Sequence, residues 1–97
     1  QSFRNYFSGS PIKRIGRDRF IRNVLVAVGN SKLSEVPSTL SKLLFDPAPI
    51  VRSMAVWALG QIGDKKTIKA SCKALFLKEQ DEVVQSEWAR VIERLQP

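Results

Sequence analysis

The sequence predicts an all-α fold, an α-solenoid of stacked helical repeats with about five helices. Apolar residues recur along most of the chain at three- and four-residue steps, and no segment alternates convincingly as a strand. Similar apolar stripes open at Ile21–Arg22, Val51–Arg52 and Val84–Gln85, intervals of 30 and 33 residues that match a helix pair per repeat. A lone pair cannot cover its own apolar face, so each must stack on its neighbour. With 97 residues there is room for one small domain of about two and a half repeats.

Residues 1–16 read as a linker, because Gly9, Pro11 and Gly16 interrupt them and no helical stripe holds them together. Phe3, Tyr6 and Phe7 in this stretch have two readings: they anchor it on another domain, or they fold back over the end of the solenoid. The first helix is expected from Arg17, with Phe20, Ile21, Val24, Leu25 and Val28 inward and a stop at Gly29–Asn30. Ser34 is the expected cap of a second helix carrying Val36, Leu40, Leu43 and Leu44, with Pro37 in its opening turn and Asp46–Pro47 beyond its end. Pro49 suits the first position of a third, whose stripe is Val51, Met54, Ala55, Ala58, Leu59 and Ile62, ended by Gly63. Asp64 then caps a fourth helix with Ile68, Cys72, Leu75 and Phe76 inward. Asp81 caps a fifth with Val84, Trp88, Val91, Ile92 and Leu95 inward.

Composition narrows function. One Cys and no His leave almost none of the ligand set for a metal or cluster, and no ordinary Ser or Cys triad. Catalysis by this chain alone is not expected. The longest apolar stretch, around Val24–Gly29, is far short of a membrane span, and the single thiol suits a reducing, cytoplasmic setting. The 16 Lys and Arg against 9 Asp and Glu give a net charge of +7. Residues 1–30 hold six basic groups and one acid, residues 31–64 balance, and residues 65–97 hold seven against five.

Two clusters are therefore candidate phosphate contacts. Lys13, Arg14, Arg17, Arg19 and Arg22 form a dense run able to attract phosphates through charge and counterion release. The same run also reads as a solvated face with an Asp18–Arg22 pair one turn apart. Lys65, Lys69 and Lys73 line one face of the fourth helix, as a second phosphate track or an ordinary wet face. Trp57, off the stripe of the third helix, suits base stacking or packing, whereas Trp88 reads as packing. Cys72 reads as a buried, inert thiol.

Residues 7–25, FSGSPIKRIGRDRFIRNVL, together with Asp46–Pro47, Val51–Arg52 and Ala55–Gly60, resemble the C-terminal part of the epoxyqueuosine reductases. The first stretch is similar to the segment after that family's ferredoxin-like domain, the second to its HEAT-like repeats. The resemblance implies a parent enzyme with 4Fe-4S clusters and cobalamin that reduces epoxyqueuosine to queuosine at the tRNA wobble position. For this chain it implies a linker (1–16) from a missing upstream catalytic domain, then a HEAT-like repeat domain (17–97). No cofactor is expected here. The implied partners are tRNA, near its anticodon, and the missing N-terminal domains, with no membrane. Two other readings remain: a HEAT-like protein-interaction scaffold whose grooves take a peptide or subunit, and a DNA-binding HEAT repeat protein.

Overall fold

The computed structural model describes the backbone of residues 11–33 and 35–95, and within these ranges the side chains from residue 15 onward. Five α-helices follow one another: α1 (Pro11–Asn30), α2 (Ser38–Leu43), α3 (Pro49–Ile62), α4 (Lys65–Leu75) and α5 (Glu82–Arg94). A short 3-10 turn, Phe76–Lys78, leads out of α4, and no strand occurs among the described residues.

Local signals set three helix starts where the sequence places them. Pro49 opens α3, where its missing N–H is no loss because the first-turn donors have no partner within the helix. The Asp64 carboxylate accepts from the Thr67 N–H, and that of Asp81 accepts from Val83 and Val84 N–H, satisfying orphan donors of α4 and α5. Gly63 follows the last residue of α3.

Two starts differ from expectation. The first helix begins at Pro11 rather than Arg17, so residues 11–16, read as linker, are helical. Proline is compatible with a first helical position, and Gly16 costs a helix only about 1 kcal/mol, so neither residue forbids the extension. The second helix begins at Ser38 with Pro37 as its cap, leaving only six residues. The expected cap, Ser34, lies outside the described residues.

Helix α3 is the centre of the molecule, packed by α1 on one side and α5 on the other, with α2 lying against it as well. Val51, Ala55 and Ala58 are wholly buried, and so, nearly, are Val56 and Leu59. Val56 is not among the stripe residues that the spacing predicts. It is buried because a helix with neighbours on several sides has no wet face at that position. Leu25 of α1, Leu40 of α2, Leu44 just beyond it, Ile68 of α4 and Val84, Trp88 and Val91 of α5 complete the core.

Two glycines bring the helices close. A Cβ at Gly29 would run into the Trp57 ring, and one at Gly60 would lie 2.8 Å from a Val91 methyl. Trp57 thus packs on α1, the second of its two sequence readings. The first helix departs from its expected stripe: Leu25 is buried and Ile21 and Val28 pack on the core, but Phe20 and Val24 are exposed.

Candidate nucleic-acid interface

The basic run of α1 is divided by the helix itself. At 100° per residue, Arg17 and Arg19 point about 200° apart, whereas Arg19 and Arg22 share a side. Arg17 faces the loop between α2 and α3, where its guanidinium forks onto both oxygens of Asp46 at 3.0 and 2.5 Å. It also donates to Asp18 Oδ1 at 2.8 Å. Asp18 is therefore taken by its neighbour, not by Arg22 as the pairing rule suggests. Arg22 is exposed and, among the described residues, donates to the Asn23 side-chain oxygen at 3.4 Å. Arg19 is exposed, with no carboxylate partner among the described residues. Lys13 and Arg14 lie in the first turns of α1, and their side chains are outside the described set.

The second candidate cluster keeps its sequence geometry. Lys65, Lys69 and Lys73 stand exposed in one row along α4, bordering the side that carries buried Ile68 and half-buried Cys72. None of the three forms an ion pair among the described residues.

The arginines that do have partners form a device the sequence reading missed. Arg52 forks onto Glu79 at 3.0 and 2.9 Å and donates to the Asp46 and Pro47 carbonyls at 2.8 and 3.0 Å. Each accepting carboxylate also takes a backbone N–H two residues on: Asp46 from Ala48 and Glu79 from Asp81, both at 3.0 Å. Gln85 completes the second loop by donating to the Glu79 carbonyl at 2.7 Å. Asp46 and Glu79 are 33 residues apart, one repeat, and each pins the loop before the next long helix. That spacing, acid to acid across the repeat, is the signal that could have exposed them.

The electrostatics agree with this geometry. Burial pushes the Asp46 carboxyl up, but hydrogen bonds from Arg17 and the Ala48 N–H, with the charges of Arg17 and Arg52, outweigh it and hold it below its ordinary value. Glu79 is likewise raised by burial and lowered further by Arg52 and the Asp81 N–H, so it stays ionised. The hydrogen bond to Asp46 raises Arg17 and that to Glu79 raises Arg52. Both arginines are committed to holding loops.

Beside the second loop lies an open groove of about 360 Å3, lined by Leu44, Phe45, Arg52, Leu75, Lys78, Glu79, Gln80 and Trp88. No described side chains are grouped to hold a metal ion. Cys72, the lone thiol, sits half-buried on the apolar side of α4, and burial raises its pKa. An iron-sulfur cluster needs several thiolates, so the donor set of this chain does not fit one. No described helix is long and apolar enough to cross a membrane.

Comparison with known proteins fits this architecture. The HEAT repeats family matches residues 17–95. An uncharacterized protein in the gldA 3' region of Geobacillus stearothermophilus is 40% identical over 81 residues, which is 82% of this chain and 37% of that protein. The epoxyqueuosine reductase of Bacillus anthracis is 36% identical over 81 residues, 82% of this chain and 21% of the enzyme. That of Xanthomonas campestris is 43% identical over 56 residues, 57% of this chain and 16% of the enzyme. The chain thus spans well under half the length of the curated relatives it matches. No solved structure matches it. A repeated loop-pinning acid, glycine-mediated helix contacts and the matched residues lead to one conclusion: this chain belongs to the HEAT repeat family and is homologous to a segment of epoxyqueuosine reductases.

Proposed function

We propose that this HEAT-repeat segment is the tRNA-binding and scaffolding part of an epoxyqueuosine reductase, the enzyme that reduces epoxyqueuosine to queuosine at the tRNA wobble position. The chemistry belongs to other domains of the parent enzyme, where 4Fe-4S clusters and cobalamin are bound, in the cytoplasm. This segment supplies a rigid, positively charged support that holds the anticodon region of the substrate.

One observation carries the reading. Within a basic run that mixes structural and free cations, Arg19 and Arg22 share an exposed side of α1 with no carboxylate opposite either among the described residues. Cations that are not neutralised within the fold are available to phosphates, and each contact releases condensed counterions. Lys13 and Arg14 precede them on the same helix, and Lys65, Lys69 and Lys73 add a second, weaker track. Arg17 belongs to the run by sequence and to the fold by geometry, since Asp46 holds it.

Binding of tRNA by the chain across a salt series tests this. With roughly three to five phosphates engaged, log affinity should fall against log salt with a slope of about −2 to −4. A slope near zero, or no binding at low salt, would favour the scaffold reading, in which the grooves bind a protein.

A further inference from the structure

Among the described residues two phenylalanine rings stand largely in water, Phe20 at 66% and Phe45 at 70% exposure. Their surroundings differ in charge. Phe45 lines a groove together with Glu79 and Arg52, a carboxylate and a guanidinium that neutralise each other. Phe20 adjoins Arg19, and Arg22 lies one turn on from Arg19, so ring and cations follow one another around α1. Neither arginine has a carboxylate partner among the described residues. An open ring next to unneutralised cations suits a ligand that is both flat and anionic.

Helical spacing gathers four exposed positions around that ring. Gly16, Arg19, Phe20 and Asn23 stand at steps of three and four, the corners of one diamond on the helix surface. Phe20 supplies an aromatic face and Arg19 a cation. Asn23, whose side-chain oxygen accepts from Arg22, offers amide N–H donors. The Gly16 corner is open, since a Cβ built there meets nothing within 4 Å. No packing demands a glycine at this point, and the missing side chain leaves room beside the ring. Val24 and Ala27, exposed one and two turns beyond Phe20, continue the apolar surface.

We propose that Phe20 is a stacking platform for one unpaired RNA base, with Arg19 and Arg22 taking the phosphates beside it and Asn23 the edge of the base. This deepens the tRNA-binding reading given above and rests on it. A paired RNA helix keeps its base faces inside the stack, so only a loop or an unwound end presents one to a ring. An unpaired base carries apolar faces on a chain of phosphates, which is what the diamond and its neighbouring cation complement. A second copy of the chain would cover the ring but would bring one net charge of +7 against another.

Binding of the 97-residue chain to two RNAs tests this: a hairpin with an unpaired loop, and a fully paired duplex with the same number of phosphates. The hairpin should bind more tightly. Phe20→Leu should weaken hairpin binding by about fivefold or more, because a base loses its aromatic partner, and leave duplex affinity, salt slope and Tm unchanged. Phe20→Trp should keep hairpin binding, whereas Gly16→Leu, which fills the open corner, should weaken it without lowering Tm. In the unaltered chain the Phe20 ring protons should shift upfield in NMR spectra with the hairpin and stay in place with the duplex. Equal affinity for the two RNAs, or hairpin binding indifferent to Phe20→Leu, would overturn the platform and leave binding through phosphates standing. No binding of either RNA at low salt would overturn both. A mass that doubles with concentration and returns to one chain in Phe20→Ser would also overturn it, since a second copy would then occupy the face.

Discussion

Helices α1 and α3 repeat the same local pattern, an apolar stripe with an arginine near its start and a glycine near its end, yet they live in different surroundings. α3 has helices on both sides, so Val51, Ala55, Val56, Ala58 and Leu59 are dry and its arginine, Arg52, is fixed on the next loop. Among the described residues α1 packs chiefly on α3, and Phe20 and Val24 are exposed together with Arg19 and Arg22. In a solenoid the same motif is core or surface according to how many neighbours it has. The difference separates structural cations from those left for a partner.

The largest expected effect lies at the α3–α5 contact. Trp88 is 1% exposed, and Trp88→Ala should cost about 3–5 kcal/mol, enough to unfold much of a chain this small at 25 °C. Denaturant titration of the variant should show a midpoint near zero. A loss below about 1 kcal/mol would mean that this end of the solenoid is as open as the other.

Glycine substitutions compare the two sides of α1 itself. Gly29→Ala would drive a methyl into the Trp57 ring and should destabilise by about 1–3 kcal/mol. Gly16→Ala meets nothing within 4 Å and should instead stabilise by about 0.4–1 kcal/mol through the helix and the unfolded chain. Opposite signs from one substitution on one helix, read as Tm, would show which face is packed. Equal signs would break the comparison.

Removing the loop-holding arginines should cost less than Trp88, about 1–3 kcal/mol each, because both guanidinium groups keep some water contact while leaving a buried carboxylate behind. Arg17→Ala and Arg52→Ala should behave alike, whereas Arg19→Ala should change stability by less than about 0.5 kcal/mol. Their pH dependence has a definite sign. Asp46 and Glu79 are held below their ordinary values in the folded chain. The unfolded chain therefore binds protons where the folded chain does not, and stability rises with pH. The contribution is complete above the ordinary carboxylate range, beyond about pH 5, and is lost as pH falls through the lowered folded values. Arg17→Ala should flatten the part of this acid loss that belongs to Asp46.

The helices were legible where their signals are local. Pro49, Asp64 and Asp81 act within three residues of themselves, and the structure has each at the helix start that its chemistry implies. The start of α1 was not legible, because a glycine and a proline resemble a linker until the surrounding backbone turns helical. Burial was legible only as a stripe: Val56 and Phe20 went the other way because the number of neighbours is a property of the stack. The candidate site was readable as a charge cluster, but its division was not. Arg17 finds Asp46 29 residues away, a partner no local window contains.

The central claim is that outward cations of α1, rather than the chain's charge as a whole, contact tRNA. Arg19→Glu with Arg22→Glu and Lys69→Glu with Lys73→Glu remove the same charge and leave Asp46 and Glu79 paired, so tRNA affinity at one salt concentration compares them fairly. The account predicts that the α1 pair weakens binding at least tenfold more than the α4 pair, with circular dichroism unchanged in both. Equal losses would reduce the interaction to general attraction, and an α1 pair that binds as well as the unaltered chain would contradict the claim.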